Sequence, residues 1–242
     1  MQLQELLDSK IYVRENGIRF PSPKELIEPF TNQFKNAVEW KVETKDPIIN
    51  QNTDDMNLNI SYPRALVEAR MSSELTGFTS VVGILYSLDT GKPSVRVYTG
   101  QEVQVCMNLC IFNAEHVNTY DIMGNYQQAY DMTGKYIERK EEEQKEYEQI
   151  WNRLTGTSYT ESEYQRTLGD ILMKATRKNL VNTVTKATKS MLTKDSRYYV
   201  YPNNEFTCNG WNLYNAMTEV LNGADMVEKP LKSLHTYQMI MN

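Results

Sequence analysis

At 242 residues, with 40% hydrophobic and 24% charged side chains, the chain has the composition of a folded protein with a sizeable core, which excludes global disorder. A formal net charge of −5 excludes an overall attraction to nucleic acid or to an anionic membrane, so any such contact has to be local. Three cysteines make no disulfide framework, and no apolar run approaches the ~20 residues that span a bilayer.

The N-terminus, MQLQELLDSK, lacks the basic and apolar regions of a secretory signal, so a cytoplasmic location is expected. Lys10–Phe20 reads as a hairpin, with Tyr12 and Ile18 flanking a Glu-Asn-Gly turn. Ser22-Pro23-Lys24-Glu25 opens a helix through a capping box, and Pro29 predicts a bend or break in it. Lys41–Asn59 is rich in Asp, Asn and Thr with little periodicity, and its core, NQNTDDMNLN, reads as a turn or mobile loop; the Asp54/Asp55 pair lacks the ordered ligands of a calcium loop. From Tyr62 the pattern turns to strands: Ala65–Met71, Phe78–Leu88 and Ser94–Thr99, with a turn at Asp89–Pro93 and a bend or bulge at Gly100. Gln101–Asn113 is the most regular stretch. Val103, Val105, Met107, Leu109 and Ile111 fall on every second residue, which predicts one central strand. On such a strand Cys106 and Cys110 lie roughly 13 Å apart, too far for a disulfide or a shared zinc, and read as free thiols.

The second half is helical. Tyr136–Leu154 presents Tyr147, Ile150, Trp151 and Leu154 on one face and a charged surface elsewhere. Thr160 and Glu163 form a second capping box. Tyr164, Leu168, Ile171, Leu172 and Ala175 share one side of a helical wheel, whereas Leu180, Val184, Ala187 and Met191 fall on the other. One straight helix cannot bury both stripes, so a break is predicted at Thr176–Asn179. Tyr198–Phe206 reads as a short strand and turn, followed by a helix with Trp211, Tyr214, Met217 and Leu221. The fold class expected is α+β: an antiparallel meander over 62–112 packed on a mainly helical C-terminal half. A single domain over 1–242 is the simplest organisation, with hairpin and helix in 1–40 and the helical part in 115–242.

No phosphate-cradling glycine loop, zincin motif or nucleophile elbow is present, so no catalytic residue, metal ligand or cofactor is assigned. His116 and His235 stand far apart and read as surface or helix-end residues. The charge distribution is more informative. Between Arg166 and Arg197 eight bases face two carboxylates, so the segment carries +6 and the remainder −11. Arg166, Lys174, Arg177, Lys178, Lys186, Lys189 and Arg197 are candidate phosphate contacts, with Tyr198, Tyr199 and Tyr201 as candidate stacking surfaces. The competing reading pairs this segment with the acidic Glu138–Glu148 helix of the same molecule.

Two stretches also carry a resemblance. QVCMNLCIF resembles the Cys-x-Asn-Leu strand, and GWNLYNAMTEVLNGAD the closing helix, of a phage- and plasmid-encoded family of unknown function from Bacteroidetes mobile elements. The resemblance implies a setting among replication, recombination and host-interference genes, and brings no catalytic residues. A meander followed by basic helices is similar in outline to single-strand annealing proteins. The expected function is therefore binding of single-stranded DNA without sequence preference, in replication or recombination. A non-enzymatic protein that inhibits a host defence factor and a minor virion component stay open as alternatives. So do a homo-oligomer and a host protein as partners; no membrane partner is expected.

Overall fold

The computed structural model describes residues 1–51, 58–104, 107–226 and 228–241, with Asn50, Gln51, Leu58, Asn59 and Arg177 described by their backbone alone. Asp54, Asp55, Val105 and Cys106, named above as a calcium-loop candidate and as part of the central strand, lie outside the described residues. The elements run α1 (Leu3–Leu7), α2 (Pro23–Gln33), β1 (Glu39–Lys45), β2 (Ile48–Gln51), β3 (Leu58–Ser61), β4 (Arg64–Ser72), β5 (Phe78–Ser87), β6 (Ser94–Val103), β7 (Asn108–Cys110), β8 (Val117–Asp121) and α3 (Gln128–Gly156). They continue with β9 (Ser158–Tyr159), α4 (Glu161–Arg177), α5 (Val181–Met191), β10 (Cys208–Asn209), α6 (Gly210–Val220) and α7 (Lys229–Met241). The fold is α+β. Its main sheet has the order β1-β4-β5-β6-β7, with β8 also paired to β6. The chain divides into two compact units, one of residues 1–72, 79–99 and 115–140, the other of 73–78, 100–114 and 141–242.

In the first unit, one face of β4 and β5 supplies Ala65, Val67, Ala69, Val82, Ile84 and Tyr86 to a core closed by Leu6, Leu26, Ile27 and Phe30 of α1 and α2. The Ser22–Glu25 capping box forms as read from the sequence. The expected break at Pro29 does not occur, because α2 continues to Gln33. Proline leaves the carbonyl four residues back without its helical donor. Here the Tyr130 hydroxyl donates to the Glu25 carbonyl at 3.2 Å and to that of Leu26 at 3.1 Å, supplying the missing partner from α3. The Asn-Gly turn is present, with Gly17 at φ +81°, but the hairpin is reduced to a single bridge between Val13 and Arg19. The weakly periodic stretch after Lys41 holds most of β1, which pairs antiparallel with β4 from Glu39↔Arg70 to Lys45↔Arg64, and β2 and β3, which pair antiparallel and take up the ends of the core read as loop.

The opposite face of this sheet carries a buried charged cluster. Glu68, directly opposite Lys41 on β1 and Gly83 on β5, accepts a hydrogen bond from the Tyr98 hydroxyl of β6. Lys41 Nζ stands 3.5 Å and Arg70 Nη2 3.9 Å from its other oxygen. Burial pulls the Lys41 ammonium down, yet Glu68 and Glu43 more than offset it and hold it above its ordinary value. Gly83 is required here, since a Cβ would lie 2.2 Å from the Tyr98 ring that crosses it to reach Glu68.

The second unit corrects the central-strand expectation. Gln101–Asn113 is not one strand. β6 ends at Val103 and the chain returns as β7, with Gln101↔Cys110, Glu102↔Leu109 and Val103↔Asn108 in register. The Met107 amide closes the reversal on the Val103 carbonyl at 2.8 Å, with Met107 itself at φ +56°. Gly100 lies within β6, between the residues paired to β8 and those paired to β7, where its missing Cβ would meet the Cys110 carbonyl oxygen at 2.8 Å. Cys110 and Cys208 are buried thiols, and burial pushes the Cys208 thiol up to about 12. No strand forms at Tyr198–Tyr201, where Pro202–Asn204 makes a 3-10 turn, and α7 is an element the sequence reading did not anticipate. No described helix is long and apolar enough to cross a membrane.

Candidate functional site

The basic segment folds as a helical hairpin. Thr160 caps α4, its hydroxyl accepting from the Glu163 amide at 3.3 Å while the Glu163 carboxylate accepts from the Thr160 amide at 2.8 Å. The same bonds hold the Glu163 carboxyl below the usual range. The break falls inside the stretch where the two apolar stripes change sides. Asn179 takes the left-handed conformation at φ +55°, and the Leu180 amide reaches back to the Ala175 carbonyl at 2.9 Å. That is a Schellman closure with asparagine in the position usual for glycine. α5 then returns alongside α4, so that Tyr164, at the start of α4, donates to Met191 Sδ, at the end of α5, at 3.5 Å. Both stripes now face one core with Leu213, Ala216 and Met217 of α6, except Leu172, read as part of the α4 stripe but 42% exposed at the edge of its arc.

The cations separate into two groups. Lys174 is half-buried and donates from Nζ to the Met239 carbonyl of α7 at 3.3 Å. Lys178 is half-buried too, and burial together with its charge holds the His235 imidazole of α7 below its ordinary value. The Arg177 side chain, the third candidate near the break, lies outside what is described. Arg166, Lys186 and Lys189 are exposed. Lys186, Lys189 and Arg197 come together around a pocket of about 580 Å³ whose wall also holds Ser190, Thr193 and Ser196. Asp195 and Glu219 line the same pocket, and Arg197 pairs with Glu219 while lying over the Tyr198 ring, 5.2 Å from its centroid. Among the described residues Lys186 and Lys189 form no ion pair, and Arg197 pairs with Glu219 of α6.

The tyrosines do not form an open row. Tyr198 is buried, and Tyr199 and Tyr201 are half-buried with ring centroids 6.1 Å apart and planes 56° apart. The Tyr201 hydroxyl donates to Glu161 at 2.7 Å, and that bond raises its pKa. What the sequence reading missed is the hydroxyl wall of the pocket and, beside it, a second concavity of about 650 Å³ between α4 and α5, lined by Leu168, Gly169, Leu172, Thr185, Thr188 and Leu192. Lys189 and Thr193 border both. The signal for the second concavity is an uncharged stripe along each helix, legible on a wheel only once the two helices are known to pair.

The two stretches that carry the resemblance meet in the core of this unit. Asn108 donates to the Asn215 carbonyl and to its side-chain oxygen, both at 3.2 Å, and accepts from Asn222 at 2.8 Å. Tyr214 packs its ring 5.4 Å from that of Phe112, and Ser233 bridges the Tyr214 hydroxyl and the Leu109 carbonyl. Apart from the exposed Asn222, these residues are buried. His116, read as a surface or helix-end residue, is buried at the end of a 3-10 turn, Ala114–His116. Among the described residues no cluster of His, Cys, Asp and Glu could hold a metal ion. No family model, no curated protein and no solved structure matches the chain.

Proposed function

We propose that this chain is a non-enzymatic binding protein that takes single-stranded nucleic acid, without sequence preference, against the basic side of α5. The observation that carries this reading is the convergence of exposed Lys186 and Lys189 with Arg197 around one hydroxyl-rich pocket. Lysines three positions apart on a helix lie on one side of it, and hydroxyls add donors to phosphate oxygens without reading bases. The same geometry narrows the mode of binding. Tyr198 is buried and Tyr201 is tied to Glu161, so phosphate contact rather than base stacking supplies the affinity. Glu219 already holds Arg197, and an incoming phosphate competes with it. Binding is then weak, electrostatic and salt-sensitive, as suits a protein of a mobile element acting in replication or recombination within its host.

A labelled oligothymidylate titrated at about 50 mM and about 200 mM salt tests this. Wild type should bind at the lower salt and weaken markedly at the higher. Lys186→Ala/Lys189→Ala should bind less tightly and flatten the log–log salt slope by about 1.4, at ~0.7 per lost phosphate contact to a single strand. Absence of binding at low salt, or binding indifferent to salt, overturns the reading.

A further inference from the structure

β1 is the outer strand of the main sheet and pairs with β4 alone among the described residues. No residue of it is buried, whereas β4 and β5 are buried over most of their length. The hydrogen bonds of its neighbours fix which way its backbone faces. The Leu88 amide donates to the Pro63 carbonyl and the Val38 amide to the Arg70 carbonyl, both at 2.8 Å. In an antiparallel ladder the backbone groups of successive residues point to opposite sides. Odd-numbered positions from Pro63 to Met71 therefore bond toward β5, and even-numbered ones toward β1. On β1 the residues opposite those even positions are Glu39, Lys41, Glu43 and Lys45. Trp40, Val42 and Thr44 thus turn their N–H and C=O groups to the open edge, where no group among the described residues receives them.

We infer that this edge is a self-association surface, at which β1 of a second copy pairs antiparallel about a two-fold axis at Val42. The sequence of the strand, EWKVETK, is complementary to its own reverse. In that register Val42 meets the partner's Val42 and Trp40 meets the partner's Thr44, which gives about six backbone hydrogen bonds. On the charged face Glu39 meets the partner's Lys45, and Lys41 meets the partner's Glu43. Every charge of the strand then faces its opposite, and the contact is isologous, as a closed dimer requires. A slip by two residues sets Lys41 against the partner's Lys41 and Glu39 against the partner's Glu43, so the fully overlapped register is favoured. Charges on an edge strand usually keep other strands away. Here their alternation repels a copy in the slipped register and admits one in the matched register. The contacts inside one copy leave room for this. Lys41 holds Glu43 and Glu68, and Glu39 holds Arg70, yet the Glu39 and Glu43 side chains stay 62% and 42% exposed. On the other face Trp40, packed edge-on to Phe30 with ring centroids 6.0 Å apart, and Val42 are only half-buried, and a partner strand covers what they still expose.

Sedimentation velocity from about 1 μM to about 200 μM tests the inference. The wild-type mass should rise from 28.1 kDa toward twice that across the range. Thr44→Pro removes an outward N–H without touching the bonds to β4, a position where an edge strand accepts proline. It should stay monomeric with an unchanged circular dichroism spectrum. Charge reversal is the sharper test. Glu39 and Lys45 stand roughly 20 Å apart along one strand, so each reaches the other only across the seam. Lys45→Glu should raise the dimer dissociation constant about tenfold, and Glu39→Lys in the same chain should restore it toward the wild-type value. A wild type that remains monomeric at the top of the range overturns the inference. So does a Thr44→Pro or Lys45→Glu protein that dimerises as wild type does, or a Lys45→Glu loss that Glu39→Lys leaves unrepaired.

Discussion

The molecule handles charge in two opposite ways. In the first unit Glu68, Arg70 and Lys41 sit on adjacent strands, Glu68 4% and Arg70 6% exposed, with each charge set against an opposite one and the Tyr98 hydroxyl donated to Glu68. In the second unit Lys186 and Lys189 stand exposed beside a pocket, with no ion pair among the described residues. Both sets came from the same few residue types. The difference is what each contributes: the sealed cluster fixes strand partners and tolerates no loss, whereas the outward lysines are worth little to folding and are free for a ligand.

Breaking the sealed cluster should have the largest effect in the protein. Glu68→Ala leaves Lys41 to Glu43 and Arg70 to Glu39, both carboxylates at the exposed edge of the sheet, and removes the acceptor of Tyr98, which should cost about 3 kcal/mol of stability in urea unfolding. Replacing Glu68 and Arg70 together by Leu and Met should recover much of that loss, since the cost lies in the stranded charge rather than in missing attraction. A single variant as stable as wild type would place the cluster among ornamental surface pairs and erase the contrast with α5.

A smaller loss, of about 1–3 kcal/mol, is expected for Asn108→Ala in the second unit. Asn108 is fully buried and links Asn215 to Asn222, and without it the buried Asn215 side-chain oxygen loses its donor. If stability is unchanged, the two stretches that carry the resemblance are not held together by this amide. The lysine variant of the binding test belongs at the other end of the scale, with stability within about 0.5 kcal/mol of wild type.

The same division explains how much was legible in the sequence. Local devices read correctly: both capping boxes, the Asn-Gly turn and the break at Asn179, because each is specified by residues within a turn or two of itself. Features set by distant partners did not. Pro29 reads as a breaker until Tyr130, 101 positions away, supplies the donor its neighbour lacks. The alternation through Gln101–Asn113 ran straight across a chain reversal with a methionine, not a glycine, in the left-handed position. In the true register Leu109 shares a face with Glu102, and Val103 with Asn108, so the apolar face read from the alternation does not exist. For the site, the charge count found Lys186, Lys189 and Arg197. It could not tell that Lys174 is spent on a helix-end carbonyl or that Tyr198 is buried. The apolar groove was invisible for a further reason, that it belongs to two helices at once.

The smallest effect expected separates the two ends of the basic segment. His235 is partly buried on α7 and its imidazole is held below the ordinary 6.5, by burial first and by the Lys178 charge second. Above pH 6.5 both folded and unfolded chains carry the neutral ring, and the residue contributes nothing. As pH falls through 6.5 the unfolded chain takes up a proton that the folded chain resists, so stability declines until pH passes the lower folded value. Comparison of urea midpoints at about pH 7.5 and about pH 5.5 should show His235→Gln losing less stability than wild type over that interval. The imidazole titration followed by NMR should give a midpoint below 6.5 in wild type, and Lys178→Gln should move it upward. A wild-type midpoint at or above 6.5 would mean that the ring is open to water and that Lys178 points away from α7. Lys178 would then rejoin Lys186 and Lys189 among the free cations, and the basic surface would extend to the hairpin bend.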